Sequence, residues 1–386
     1  GCGGGSAETL DGTTTPDRKT GIDNAHWGPG VESPEVDDKQ DTPELTDVVT
    51  NTTFVYAAGS PGGYGISVYS IDDDGNLTHI DRDGDWNGPV WSDGQFVYMA
   101  VMAGKQRTLW GMHVYSVDDS GQLTFLSRHG GAGSLLTGPD FIGPANEGFN
   151  DVWGDGTFIY GAGYGGLRVF SVDSSGILTH IAGGQAGQAN GVWGDGKYIY
   201  VAHGTDGVVI YKINKDGNGV DGVTKISKPP AILVGVTGSG GDPRRARSVW
   251  ADEDFIYVAW QNGLAVYSWK TASSVQLVTQ PNFPDDIVPA YFSQRVWGDG
   301  NFIYFIDSFH GIKTFSVNSN GQLTHIDSAD HGGWYYNINS DENFLYASTG
   351  DGLHIYTVND SGYLTHITSE GKEFRGVFAA PPTYNN

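Results

Sequence analysis

Half of the arginines lie in short segments where strands of a repeating pattern begin. The chain has ten arginines, and five of them are Arg244, Arg245, Arg247, Arg295 and Arg375. The chain as a whole is acidic, with 45 Asp and Glu against 21 Lys and Arg and a formal net charge of -24. Guanidinium groups clustered in such a chain predict a focused site for a carboxylate or phosphate. The alternative is that each arginine pairs with a nearby aspartate.

Other polar residues occupy neighbouring positions of the same pattern. They are Asn150, Asp151, Asn190 and Asn337. Two histidines stand close to aspartates, His203 before Asp206 and His310 after Asp307. Either histidine is a candidate general base for opening a lactone, with an arginine holding the substrate anion and polarising its carbonyl. The alternative is that each histidine caps a loop.

One acidic segment has calcium-like spacing. Oxygen-bearing side chains alternate at Asp81, Asp83, Asp85 and Asn87, as at the start of an EF-hand loop, but no glutamate follows at the twelfth position. We expect no cofactor, with calcium at this segment as the alternative.

A sequence repeat of about forty residues positions these groups. A Val-Trp-Gly-Asp-Gly turn followed by an aromatic strand ending in Tyr begins at Val152, Val192 and Val296. A period near forty with strand-like content is typical of a radial array of four-stranded blades. Seven complete units and one extra strand near Phe378 predict an all-β, seven-bladed β-propeller of antiparallel blades, with eight blades as the alternative.

Ring closure and packing follow from that architecture. Either residues 375–378 or residues 47–49 should complete the first blade as its innermost strand. Four equivalent tryptophans should be buried between blades; they are Trp153, Trp193, Trp250 and Trp297. Four histidines recur in a Leu-Thr-His-Ile fourth strand, on separate blades, and we interpret them as half-buried outer-strand residues rather than metal ligands. They are His79, His180, His325 and His366.

Three connections between blades are enlarged. They span residues 128–150, 228–247 and 280–294. Long loops inside an economical repeat are where function usually resides. In a propeller these connections share one face with the loops that join second to third strands, so we expect the arginines at the mouth of the central channel.

The strand sequences resemble a known family. Residues 66–80 and 155–162 are similar to the seven-bladed lactonase and YVTN-type propellers, which include 6-phosphogluconolactonases and carboxymuconate cycloisomerases. The resemblance covers about residues 46–378. The family's enzymes carry an Arg-His pair after Gly-Pro in a first strand, and the nearest match, residues 242–247, supplies arginines without a histidine.

The N-terminal segment differs from the rest. Residues 1–45 suit a flexible tether, and residues 46–386 a single propeller domain. Cys2, the only cysteine, precedes a Gly/Ser stretch and resembles the lipid-bearing cysteine of a bacterial lipoprotein. We therefore expect a membrane-anchored, extracytoplasmic protein, periplasmic or on the cell surface. The acidic surface argues against a nucleic-acid partner.

These observations lead to one functional hypothesis and one alternative. The hypothesis is a binding module whose channel mouth receives a protein partner or a small anionic ligand. The alternative is a lactonase-like enzyme, a lactone hydrolase or cycloisomerase, acting on a small anionic substrate.

Overall fold

The structure, a computed structural model, contains β-strands joined by turns. It describes residues 53–59, 65–84, 87–101, 110–130, 148–184, 186–215, 222–227, 245–260, 263–268, 275–279, 295–371 and 373–380. The proposed tether, Cys2, Asp85 and Arg244 lie outside these ranges. Within them, no helix has the length and apolar character needed to cross a membrane.

The strands form seven four-stranded antiparallel sheets, one for each blade. Blade 1 contains β1 (Phe54–Gly59), β2 (Ile66–Ile71), β3 (Leu77–Asp83) and the C-terminal strand β28 (Phe374–Ala380). Blade 2 contains β4 (Val90–Ser92), β5 (Phe96–Val101), β6 (Gly111–Val117) and β7 (Leu123–His129). Blade 3 contains β8 (Phe149–Gly154), β9 (Phe158–Gly163), β10 (Gly166–Val172) and β11 (Leu178–Gly183). Blade 4 contains β12 (Gly191–Gly194), β13 (Tyr198–Ala202), β14 (Val208–Asn214) and β15 (Gly222–Ser227).

The remaining blades follow the same order. Blade 5 contains β16 (Ala246–Ala251), β17 (Phe255–Trp260), β18 (Gly263–Ser268) and β19 (Gln276–Thr279). Blade 6 contains β20 (Arg295–Gly298), β21 (Ile303–Asp307), β22 (Gly311–Val317) and β23 (Leu323–Ala329). Blade 7 contains β24 (Tyr335–Ser340), β25 (Leu345–Thr349), β26 (Leu353–Val358) and β27 (Leu364–Glu370).

The ring closes through the C-terminus. Strand β28 pairs antiparallel with β1, with Phe378 opposite Tyr56, and occupies in blade 1 the place of a first strand. Apolar clusters fill the space between each pair of neighbouring blades, including blades 7 and 1. The predicted seven-bladed propeller is therefore confirmed, and the closing strand is the C-terminal of the two alternatives.

A repeated aspartate fixes the turn between first and second strands. Asp155 accepts backbone hydrogen bonds from Thr157 and Phe158 on Oδ1 and the hydroxyl of Tyr160 on Oδ2. Blades 2 and 4 to 7 repeat the Asp–Tyr bond, as Asp93–Tyr98, Asp195–Tyr200, Asp252–Tyr257, Asp299–Tyr304 and Asp341–Tyr346. These aspartates are thus structural, because a buried hydroxyl needs a partner.

The four tryptophans occupy equivalent places but differ in burial. Trp250 is 2% exposed, whereas the other three are half-buried, which corrects the expectation that all four would be buried. Each is the last residue but one of its first strand. Glycine follows three of them, Trp153, Trp193 and Trp297, and makes room for the ring of the preceding blade: a Cβ at Gly194 would lie 2.5 Å from Trp153.

Candidate functional site

The starts of four consecutive first strands converge on the side chain of Arg295. From blade 6, its Nη1 donates to the carbonyl oxygens of Arg247, at 3.3 Å, and of Asn190, at 3.5 Å. Its Nη2 donates to the carbonyl oxygen of Asn150, at 3.5 Å. Those carbonyls lie at the first-strand starts of blades 5, 4 and 3, so the guanidinium group of Arg295 reaches across the channel mouth.

One carboxylate accompanies this arginine. Asp151 Oδ2 lies 3.9 Å from Arg295 Nη1, and the two side chains are 17% and 16% exposed. The backbone N–H groups of Val152 and Val192 donate to the same carboxylate. Burial raises the pKa of Asp151, while Arg295 and these two N–H groups oppose the rise.

Arg247 adds a second guanidinium group with unused donor capacity. Burial, followed by the charges of Arg245 and Arg295, lowers the pKa of Arg247, so the three arginines are close enough to repel one another. Within the described part of the chain, the Nε atoms of Arg247 and Arg295 are both buried without a hydrogen-bond partner. Arg245 donates to Gln188 Oε1 at 3.4 Å. We call Arg245, Arg247, Arg295 and Asp151 the arginine cluster.

Arg375, at the equivalent strand start of blade 1, is neutralised locally. Its Nε and Nη2 both donate to Glu373 Oε1, at 3.0 and 2.9 Å. Its guanidinium carbon lies 5.0 Å from the ring centroid of Tyr336, whose hydroxyl also donates to Glu373. Arg375 thus has a carboxylate of its own.

The predicted asparagines act mainly as links. Asn150 donates to the carbonyl of Ala189 at 2.8 Å, and Asn190 donates to that of Ala246 at 2.7 Å, each tying one blade to the next. Asn337 accepts the backbone N–H of Ile338. The sequence alone did not single out Gln188 or Glu373. Gln188 lies two residues before Asn190, and Glu373 lies two residues before Arg375.

The two candidate histidines each face a loop aspartate. His203 is 3% exposed, and its Nδ1 lies 3.5 Å from Asp206. His310 is 30% exposed, and its Nδ1 lies 3.1 Å from the fully buried Asp307. They lie on blades 4 and 6, at the turns between second and third strands, where the loop-capping interpretation accounts for both contacts.

The calcium-like segment has a structural contact. Asp81 Oδ2 accepts the backbone N–H of Leu123 in blade 2 at 2.8 Å, and Asp327 makes the equivalent bond to Leu364 between blades 6 and 7. Asn87 is buried. No group of three or more His, Cys, Asp or Glu side chains suited to a metal ion occurs among the residues that the structure describes. Because Asp85 falls outside them, calcium stays a prediction.

Comparison with known proteins gives one partial family match. The model of the LVIVD repeat matches residues 186–213 and 243–267, which include the first strands of blades 4 and 5. No curated protein matches the chain.

Solved structures resemble this one over most of its length. A candidate 6-phosphogluconolactonase from Bacteroides fragilis has a TM-score of 0.65 at 18% identity, covering 88% of this chain and 100% of its own. A second, from Bacteroides uniformis, has a TM-score of 0.64 at 18% identity, covering 86% and 100%. The chain has the fold of these lactonase-like propellers. A protein from Lactobacillus plantarum is similar at a TM-score of 0.63 and 14% identity, covering 85% and 99%. Identities this low establish a shared fold, and a fold alone does not define an activity.

Proposed function

We propose that the channel mouth binds a small anion, a carboxylate or a phosphate, at the arginine cluster. The observation that carries the proposal is a charge imbalance: the charges of Arg245 and Arg295 act on Arg247, while Asp151, beside Arg295, is the one carboxylate in an ion pair with any of the three in the described structure. Partial burial reduces screening by water and strengthens the attraction for an anion.

The arginines have different roles in this proposal. Arg295 already donates to three backbone carbonyls, so it mainly holds the strand starts together. Arg247 has a buried Nε that lacks a partner among described residues, so it is the principal anion ligand. A bound carboxylate or phosphate would supply the missing acceptor, which is otherwise costly to leave out.

The ligand belongs either to a free small molecule or to a partner protein. Both present the same chemistry, and a carboxylate side chain or C-terminus of a partner could enter the mouth. The formal net charge of -24 over the whole chain repels anions and makes the arginine cluster the favoured point of approach.

A second candidate function is lactone hydrolysis, favoured by the position of Asp151. Its carboxylate has a pKa raised by burial and lies 3.9 Å from Arg295, which suits a general base beside an electrophilic guanidinium group. In this scheme Asp151 takes a proton from water, the water oxygen attacks the lactone carbonyl, the ring C–O bond breaks, and the proton passes to the leaving alkoxide.

Titration calorimetry with inorganic phosphate and with 6-phosphogluconate tests anion binding. Arg247→Gln should weaken binding of both by at least about tenfold, because charged hydrogen bonds contribute about 1.5–3 kcal/mol. Arg375→Gln is the matched control and should leave affinity unchanged, because Glu373 already neutralises that arginine. Equal losses in the two variants, or no binding to the unmodified protein, would refute the proposal.

Hydrolysis of 6-phosphogluconolactone, followed by acid release above the spontaneous rate, tests the second candidate. Asp151→Asn should abolish enzymatic hydrolysis while strengthening binding of 6-phosphogluconate, since the competing negative charge is gone. If the unmodified protein binds 6-phosphogluconate but does not hydrolyse the lactone, the binding-module function stands and this lactonase reaction is excluded.

A further inference from the structure

Three histidines meet on blade 7, on the side that packs against blade 6. His354 on β26 and His366 on β27 face each other, with Nδ1 and Nε2 3.2 Å apart. His331, in the connection from blade 6, stacks on His366 with ring centroids 4.3 Å apart. The two neighbouring tyrosines of the same cluster, Tyr335 and Tyr356, belong to the apolar core shared by blades 6 and 7.

This arrangement departs from the repeat. The other histidines of the Leu-Thr-His-Ile strands, such as His79 and His325, contact the edge or face of an aromatic ring on the third strand of their own blade. His366 keeps that contact, with Tyr356, and adds two further histidines. Blade 2 has His113 at the place of His354 but Phe125 at the place of His366, and the two rings meet edge to face.

The hydrogen bonds require neutral rings. A backbone hydrogen bond at Thr368 stabilises the charged form of His366, as expected if the His366 ring donates there through Nδ1. His366 Nε2 is then an acceptor, and His354 Nδ1 is the donor between the two rings. The remaining nitrogen, His354 Nε2, is buried with no hydrogen-bond partner among the described residues. A proton added there would lie buried without an acceptor, which is costly.

The charges around the rings offset only part of the cost of placing a proton on His354 Nε2. The groups that face the rings are Asp330 and Asp351, both exposed, together with Tyr335 and Tyr356. His331 Nδ1 lies 3.2 Å from the hydroxyl of Tyr356, and the backbone N–H of His331 donates to Tyr335. The second and third protons added to this group would therefore meet like charge at short range.

We propose that His331, His354 and His366 form an acid-sensitive latch on blade 7, closed while His354 and His366 are neutral and released when these two rings are protonated. Release would free the outer strand β27 and the connection at residues 330–334 from the blade 6 boundary, leaving the inner strands of the ring paired. The latch is independent of the arginine cluster and of the proposed anion site.

The sign of the pH effect follows from the buried ring. Burial, then the charges of His366 and His331, lowers the pKa of His354 from 6.5 to about 4. An opened state whose histidine titrates normally binds the proton first, so the latch is fully stable above about pH 6.5. Its stability falls as the pH drops from there towards about 4.

Amide hydrogen exchange of the full chain, corrected for intrinsic exchange rates at each pH, tests this latch. Between pH 7.5 and 4.5, protection of residues 364–370 should fall by at least about tenfold. His354→Val, which places in blade 7 the side chain that Val209 provides in blade 4, should reduce that fall to less than about threefold. His325→Phe, which changes the residue of blade 6 equivalent to His366, should leave that fall unchanged.

The ring signals of His354 and His366 in the unmodified protein provide a readout that does not depend on how the variants fold. Protonation of these rings in the closed state, followed by NMR, should lie at the acidic end of the interval over which β27 loses protection, because the opened state takes up the proton first. Protection that is independent of pH, loss that begins only below the pH of ring protonation, or an undiminished loss in folded His354→Val would each overturn the latch.

Discussion

Two sides of the channel mouth carry arginines at the same or the adjacent position of the repeat, but in different electrostatic surroundings. On the side of blades 3 to 6, Arg247 and Arg295 are half-buried, and Arg295 lies 3.9 Å from Asp151. On the side of blade 1, Arg375 is 40% exposed and pairs with Glu373. The comparison teaches that repeat position brings an arginine to the mouth, whereas its nearest carboxylate determines whether it can bind a ligand.

The largest expected effect is a loss of stability when an aromatic ring between blades is truncated. This loss should be the same on both sides of the channel mouth. Trp193 contacts Trp153 and Trp250, and Phe378 contacts Trp91. Truncation of a large packed ring costs about 3–5 kcal/mol when fully buried, so Trp193→Ala and Phe378→Ala should each cost about 3 kcal/mol. Urea unfolding measures this, and a loss on one side only would show that the two sides also differ in packing.

The next largest effect, also a loss of stability, should differ between the two sides of the channel mouth. Asp151→Asn leaves Arg295 without its carboxylate, and breaking a buried pair costs about 3 kcal/mol. Glu373→Gln breaks a pair at the surface and should cost less than about 1 kcal/mol. The same urea unfolding assay compares them, and similar costs for both substitutions would mean that the arginine cluster is no more buried than the Arg375 pair.

The pH dependence of anion binding sharpens the role of Asp151. Burial raises the pKa of its carboxyl group, so acidification removes its negative charge at a pH above the ordinary carboxyl range. Sulfate, which keeps its charge over this interval, should bind more tightly as the pH falls through that pKa. In Asp151→Asn the affinity should be high and independent of pH, and an affinity that weakens on acidification of the unmodified protein would contradict this role.

The smallest expected effect is that of salt. Partly buried charges are screened less than exposed ones, whose attraction decays over about 8 Å at physiological ionic strength. Sulfate affinity should therefore decline modestly between about 50 and 200 mM sodium chloride, by less than about tenfold. A steeper loss, measured by calorimetry, would indicate binding to exposed lysines and arginines instead.

The sequence predicts the ring more fully than the site. The Val-Trp-Gly-Asp-Gly phrase repeats because each Asp holds a turn and a buried Tyr, so the period reveals the blades directly. Arg295 and the carbonyl of Asn150 are 145 residues apart, and their contact depends on the curvature of the closed ring, which no local pattern contains. For the same reason the separate blade positions of the Leu-Thr-His-Ile histidines did not indicate that His331 and His354 surround His366. The lipidation of Cys2 stays a prediction.

The most direct test of the central claim is NMR of arginine Nε–Hε groups during a sulfate titration. The Nε atoms of Arg247 and Arg295 are buried without partners among the described residues, whereas that of Arg375 donates to Glu373. We predict that the Nε–Hε signals of Arg247 and Arg295 shift together and saturate, while the Arg375 signal stays in place. A shift confined to Arg375, or equal unsaturated shifts of all three, would contradict the account.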